Sequence, residues 1–157
     1  MKILEPGHPR AHLSGQLIWG LAWVGVTAVG LYLTPSQRGH GTHEQLGLPP
    51  CPSVLLSQRP CPGCGLTTSW TAVLHGDFQH AFQAHALGPI LYILFTLTAW
   101  LSLYGWVRKA RVVSESRPAS WTMGVVALVF FAYGITRFAT ASHYDDRFNL
   151  ASLPASR

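Results

Sequence analysis

The sequence predicts an all-α membrane protein with three transmembrane helices, an external cysteine-rich elbow and two short interfacial helices. Only 11% of its 157 residues are Asp, Glu, Lys or Arg, whereas soluble domains carry roughly 25%. Apolar residues make up 48% of the chain and are gathered in blocks. A soluble fold of this size would need more charge to cover its surface, and a disordered chain would hold fewer apolar residues.

The first predicted span is an uncharged block at 17–34. Residues 17–33 contain neither a charge nor a proline, and this length is near the minimum for a hydrocarbon core of ~30 Å. Pro35 ends the run. A cleaved signal peptide is the alternative, with Ala28 and Gly30 before the cleavage site. Because the apolar run continues beyond Gly30, we expect an uncleaved anchor.

Two further blocks predict the second and third spans. Residues 89–107 carry no charge and are rich in Leu, Ile, Phe and Trp, and the apolar block 121–137 is closed by Arg137, whose side chain we expect to extend to the membrane edge. On the first span, small residues recur at every third position, a pattern that lets a neighbouring helix approach closely or reflects only their frequency in membrane helices. These residues are Ala22, Gly25 and Ala28.

The distribution of basic residues predicts the orientation. Four of the eleven basic residues lie in the loop 108–120, beside the single acid Glu115, so this loop should be cytoplasmic. The predicted segments are a cytoplasmic N-terminus at 1–16, the first span at 17–34, an external cysteine/proline loop at 35–65, interfacial helices at 66–88, the second span at 89–107, the basic cytoplasmic loop at 108–120, the third span at 121–137 and an external tail at 138–157. The basic stripe with interleaved aromatics that nucleic acid requires is missing. The predicted partners are therefore the lipid bilayer and, within it, another protein or a second copy.

All three cysteines lie in one proline-rich stretch. Pro50-Cys51-Pro52 is followed, after a short interval, by Pro60-Cys61-Pro62-Gly63-Cys64-Gly65. Proline fixes φ and removes an amide donor, so the loop should be stiff. Gly65 is suited to the left-handed conformation that a turn after Cys64 needs.

Two short amphipathic helices are predicted between the cysteines and the second span. Gly76 should end the first helix, Asp77 should cap the second, and Pro89 marks the boundary with the span. These helices are too polar to cross a bilayer, so they lie at its outer interface or dip in against the bundle. Their predicted apolar faces are formed by Leu66, Trp70, Val73 and Leu74 on the first helix, and by Phe78, Ala81, Phe82 and His85 on the second.

These motifs resemble a known family. Cys51, the run Cys61-Pro62-Gly63-Cys64-Gly65-Leu66-Thr67, the run Leu74-His75-Gly76-Asp77 and the pair Ala81-Phe82 are similar to the bacterial membrane-protein family called domain of unknown function 2752, over roughly residues 50–105. The resemblance implies a small multi-pass protein of the bacterial inner (cytoplasmic) membrane, without an assigned activity. Thr68 stands where relatives commonly carry an arginine, and Ala86 where a proline is usual, so any function of that arginine is lost or moved here.

Several chemistries are compatible with the cysteines. Cys-Pro-x-Cys-Gly has the form of a zinc knuckle, and Cys51, Cys61 and Cys64 would supply three thiolates. The predicted fourth ligand is His75 or His85, with His40, His43 and His80 less favoured. A disulfide from Cys51 to Cys61 or Cys64 is the main rival, since an external loop is oxidising and such a bond is worth roughly 3 kcal/mol. Thiol–disulfide exchange and reduced, buried thiols also remain open.

No catalytic or cofactor-binding residue is predicted. The chain has no nucleophile elbow, phosphate loop or paired-carboxylate spacing, and the spans lack the charges that mark ion pathways. Acidic and imidazole groups at His143, Asp145 and Asp146 could form a small polar cluster in the tail. The leading prediction is a non-enzymatic accessory or structural membrane subunit. The alternative is a metal-binding or thiol-redox membrane module.

Overall fold

The computed structural model describes residues 4–7, 13–112 and 117–141, and it confirms the predicted fold class. Three of its helices are long and apolar enough to cross a membrane: Ser14–Tyr32, Gly88–Val107 and Ser120–Thr140. The elements in chain order are β1 (Leu4–Pro6), α1 (Ser14–Tyr32), a 3₁₀ helix (Thr42–Leu46), α2 (Pro52–Ser57), α3 (Leu66–Leu74), α4 (Phe78–Ala84), α5 (Gly88–Val107), β2 (Ala110–Val112) and α6 (Arg117–Thr140).

Helices α1 and α5 form an antiparallel pair joined by polar side chains. In lipid such interhelical hydrogen bonds help to hold helices together, because apolar contact with a neighbouring helix gains little over contact with lipid. The bonds run along the pair from one end to the other: Trp19 Nε1 to Thr98 Oγ1 (3.2 Å), Trp23 Nε1 to Thr96 Oγ1 (3.0 Å) and the Thr27 and Tyr92 hydroxyls (2.8 Å).

The close contacts of α1 are made by glycines other than those the sequence pattern suggested. A Cβ on Gly20 would overlap the Leu103 side chain, and one on Gly30 would overlap that of Leu74. The expected stripe of Ala22, Gly25 and Ala28 is exposed, so it makes no such face within the chain. Spacing alone does not tell which side of a helix meets its neighbour.

The cysteine elbow (residues 50–65) and the basic segment 108–111 lie at opposite ends of α5. Strands β1 and β2 pair antiparallel, with Glu5 opposite Arg111, at the end where α1 begins and α5 finishes. This strand pair was not predicted, because three residues give no periodic signal.

Lys2, Arg10, Glu115 and the predicted tail cluster at 143–146 lie outside the described residues.

Helix α3 dips between the ends of α1 and α5. Trp70 donates a hydrogen bond from Nε1 to the Gly88 carbonyl (2.9 Å), and its ring stacks on Phe95 at 6.0 Å. Its most buried side chains are small ones, Thr68, Ser69, Thr71 and Ala72, which let the neighbouring backbones approach closely.

Helix α4 turns its aromatic residues outward. Gly76 ends α3 with φ +78°, and the Asp77 side chain accepts a hydrogen bond from the His80 amide at 3.0 Å, as predicted. On the predicted apolar face of α4, Ala81 and His85 are fully buried, whereas Phe78 and Phe82 are 58% and 49% exposed. Ala81 and His85 therefore pack against the protein, while the two exposed phenylalanine rings are free to face a membrane surface.

Candidate metal centre

Three thiols converge at the elbow end of the bundle. The Cys64 Sγ lies 3.0 Å from the Cys61 Sγ and 3.5 Å from the Cys51 Sγ, and all three sulfurs fall within 4.8 Å of one another. Each is a free thiol. Within the described ranges, these are the side chains that gather closely enough to share a metal ion.

A tight turn presents Cys61 and Cys64 together. The Cys64 amide donates to the Cys61 carbonyl (3.0 Å), and the Cys61 amide donates to the Cys64 Sγ (3.1 Å). Gly65 leaves this turn with φ +84°, the left-handed conformation that was predicted, and a Cβ there would overlap the carbonyl oxygens of Ala84 and Gly39. The turn therefore requires glycine at this position for both reasons.

Cys51 reaches the same point because the chain reverses through α2. Cys51 directly precedes this helix, and Gln58 ends it with φ +51°. The Ser53 hydroxyl donates to the Arg59 carbonyl at 3.0 Å, which ties the start of α2 to the returning chain. The nine residues between Cys51 and Cys61 thus form a helix and a reversal rather than an extended chain.

The surroundings of the thiols separate their acidities. Burial raises the pKa of Cys64, and hydrogen bonds to the Cys61 and Cys51 sulfurs raise it further. Burial also opposes ionisation of Cys51, but hydrogen bonds from the backbone of Val54, from the other two thiols and from Ser53 bring its pKa below the ordinary value. Without metal, Cys51 therefore ionises more readily than Cys64, and the Cys64 thiol donates to the Cys51 sulfur.

The two histidines predicted as fourth ligands are each bonded to a backbone carbonyl. His75 Nε2 lies 2.9 Å from the Leu33 carbonyl oxygen, and His85 Nε2 lies 3.1 Å from that of Pro62. Neither stands within the thiol cluster, and the assignment of either as a ligand stays a prediction. Burial lowers the pKa of His85, so the ring is neutral, and its Nδ1 has no hydrogen-bond partner among the described residues.

A cavity of about 290 Å³ opens directly beside the three sulfurs. The loop before the cysteines also lines this cavity, through His40, His43 and Glu44. The buried Thr42 hydroxyl holds this loop in place through a 2.8 Å hydrogen bond to Thr68, the position where an arginine was expected from the resemblance. Sequence reasoning did not include Glu44 in the site. The only indication in the sequence was that Glu44 directly follows the motif His40-Gly41-Thr42-His43.

Helix α6 is fastened to the cysteine turn by Arg137. Its guanidinium donates to the Cys64 carbonyl (2.7 Å) and to the Ala84 carbonyl (2.9 Å). The sequence predicts only that the Arg137 side chain extends to the membrane edge. In the structure this side chain also ties α6 to the cysteine elbow. One turn earlier, a Cβ on Gly134 would overlap Pro62.

The fold and the thiol cluster define a small membrane protein with three candidate spans and a cysteine elbow at one end of them. Residues 51–99 match a family model described as "Protein of unknown function (DUF2752)", which confirms the resemblance drawn from the cysteine motif. The matched segment contains all three cysteines, α2, α3, α4 and the first part of α5. No curated protein and no solved structure matches the chain.

Proposed function

We propose that this protein is a non-enzymatic accessory subunit of a bacterial inner membrane, and that its elbow binds a thiophilic metal ion through Cys51, Cys61 and Cys64. The observation that carries the proposal is the convergence of three sulfurs within 4.8 Å. Thiolate ligands select zinc and other soft ions. Zinc bound at about 2.3 Å to each thiolate separates tetrahedral ligands by about 3.8 Å, and Cys64 already lies 3.5 Å from Cys51.

The third cysteine favours a metal over a disulfide as the purpose of this cluster. A disulfide would use two sulfurs and would leave the third without a role, whereas an ion uses all three. The Cys61 amide aimed at the Cys64 Sγ also favours the thiolate form that a metal requires. Proton release from the hydrogen-bonded thiols would accompany metal binding.

The test is metal analysis of the full-length protein purified in mild detergent. We expect one zinc ion per chain, and we expect Cys51→Ser, Cys61→Ser and Cys64→Ser each to lose most of it, because removing a thiolate ligand weakens such a site strongly. His80→Ala is the matched control, since His80 lies beside Asp77 at 3.8 Å and away from the thiols. A protein with a disulfide, one free thiol and no zinc would contradict the metal proposal.

The proposal includes an orientation with the N-terminus in the cytoplasm and with the elbow and C-terminus outside. Arg108, Lys109 and Arg111 follow the end of α5, opposite the cysteine elbow, and basic loops are retained in the cytoplasm. Under this proposal the partners are the bilayer and, within it, another membrane protein or a second copy.

A further inference from the structure

We infer that the ion held by the three thiolates keeps one coordination position directed into the elbow cavity and takes a neutral nitrogen donor there. This inference rests on the proposed metal function, which it deepens. Structural zinc sites are closed by four protein ligands, whereas sites that exchange a ligand keep one position for it. The bound ion would then be able to exchange its fourth ligand.

The first support is the number of protein ligands. Among the residues that the structure describes, the group able to hold an ion consists of Cys51, Cys61 and Cys64. His85 places its Nε2 against the Pro62 carbonyl oxygen, and His75 places its Nε2 against the Leu33 carbonyl oxygen. Both histidines therefore already have one ring nitrogen engaged by a backbone carbonyl.

The second support is the cavity itself, which has the three sulfurs as part of its wall. Its volume of about 290 Å³ is close to the lower end of the range for small-ligand pockets. Prolines at 49, 50 and 52 line it as well, and their restricted backbone keeps the space from collapsing. Gly63 and Thr67, also in the lining, are exposed, so a ligand can reach the site from outside the bundle.

Charge favours a neutral ligand. Three thiolates around a divalent ion leave a net charge of about −1. The Glu44 carboxylate in the cavity lining is paired with the Arg38 guanidinium at 3.1 Å, so it neither offsets this charge nor adds much to it. An anionic fourth ligand would meet repulsion in this partly buried space. A neutral imidazole-type nitrogen completes a three-cysteine, one-nitrogen set, which is a common zinc environment.

The test uses cobalt(II) in place of zinc, because the visible spectrum of cobalt reports its ligands. Cobalt-loaded full-length protein in detergent is titrated with imidazole and, separately, with acetate. We expect imidazole to change the spectrum saturably while cobalt stays bound at one ion per chain, and acetate to have no effect at the same concentrations. Thr67→His places an imidazole at the cavity wall and should abolish the response to added imidazole.

Two results would overturn the inference while leaving the metal site intact. One is bound cobalt whose spectrum does not respond to imidazole. The other is a changed cobalt spectrum in His43→Ala or His40→Ala before any imidazole is added, since a histidine of the chain would then be the fourth ligand. A protein that binds no cobalt contradicts the proposed function itself, and the inference with it. His80 lies outside the cavity lining, so the His80→Ala variant should behave like the unchanged protein.

Discussion

Cys64 makes contacts in the cysteine elbow through both its side chain and its backbone. Its sulfur contacts the other two thiols, while its carbonyl accepts the Arg137 guanidinium. The residue is only 6% exposed. The same residue thus joins the thiol cluster to α6, and a serine at this position changes the first contact while it leaves the second in place.

The three thiols should differ in reactivity when no metal is bound. We expect iodoacetamide to modify Cys51 faster than Cys64, because Cys64 is buried with a raised pKa, whereas Cys51 is half-buried with a lowered one, and the thiolate is the nucleophile. Mass spectrometry of samples quenched over time measures the order. Zinc should protect the cluster, and modification of Cys64 before Cys51 would contradict the described burial.

Gly65 should be intolerant of a side chain. We expect Gly65→Ala to destabilise the protein by about 1–2 kcal/mol for the left-handed backbone and by more for the overlap with two carbonyl oxygens. Gly63→Ala is the control, since Gly63 lies in the same turn with open space around its Cβ position. Thermal unfolding in detergent, with zinc content measured alongside, compares the two variants. Equal stability of both would show that the turn accepts a side chain.

At the scale of elements, α6 is held where it meets the cysteine turn. His85 lies 5.1 Å from the Tyr133 ring and stacks on Phe130 at 6.0 Å. The Tyr133 hydroxyl accepts a hydrogen bond from the Ala86 amide at 3.2 Å. These contacts join α6 to the region between α4 and α5, beside the site where Arg137 binds.

Gly134 permits this contact, and a methyl group there should weaken it. We expect Gly134→Ala to cost about 1–3 kcal/mol as an overpacked contact, because its Cβ would overlap Pro62, including the backbone Cα. Gly124→Ala on the same helix is the matched control, since nothing lies within 4 Å of its Cβ position. Thermal unfolding and hydrogen exchange at 130–137 report the effect. A greater loss in the Gly124 variant would place the contact elsewhere on α6.

The break between α4 and α5 does not depend on Pro89. His85 has extended backbone angles (φ −157°, ψ 107°) and is held by Pro62, while Pro89 lies in the first turn of α5, where its missing amide costs nothing. Pro89→Ala should therefore leave the two helices separate, and protease accessibility of 66–88 in membrane vesicles should not change. New protection or exposure there would show that the proline makes the break.

For the whole molecule, the proposed orientation predicts the behaviour of reporter fusions. Alkaline phosphatase is active only outside the cytoplasm, so a fusion after Gln45 should be active and one after Ser114 inactive. The physical reason is the basic segment around Arg108, Lys109 and Arg111, which resists transfer across the membrane. Matched expression of both fusions must be checked by immunoblot. The reverse pattern would put the cysteines in the cytoplasm.

Much of the site's composition was predictable, whereas its assembly was not. The spacing around Cys61 and Cys64 predicted a tight turn, and Gly65 adopts the conformation expected of it. His75 and His85 stay predicted ligands, and the sequence did not indicate that each would place its Nε2 against a backbone carbonyl at the end of α3 or α4. Glu44 joins the cavity through a loop whose path depends on the buried Thr42 contact with Thr68.

By itself, the sequence determined the membrane class, the three spans and the caps of the short helices. These features follow from local chemistry, since hydropathy, proline and glycine act over one helix or one turn. Only the tertiary structure decided that Cys51 meets Cys61 and Cys64, that Arg137 meets Cys64, and that Gly20 and Gly30 rather than Gly25 form contacts. The reason is that these contacts depend on how whole helices rotate and pack. Residues that are far apart in the chain compete for the same helix surface.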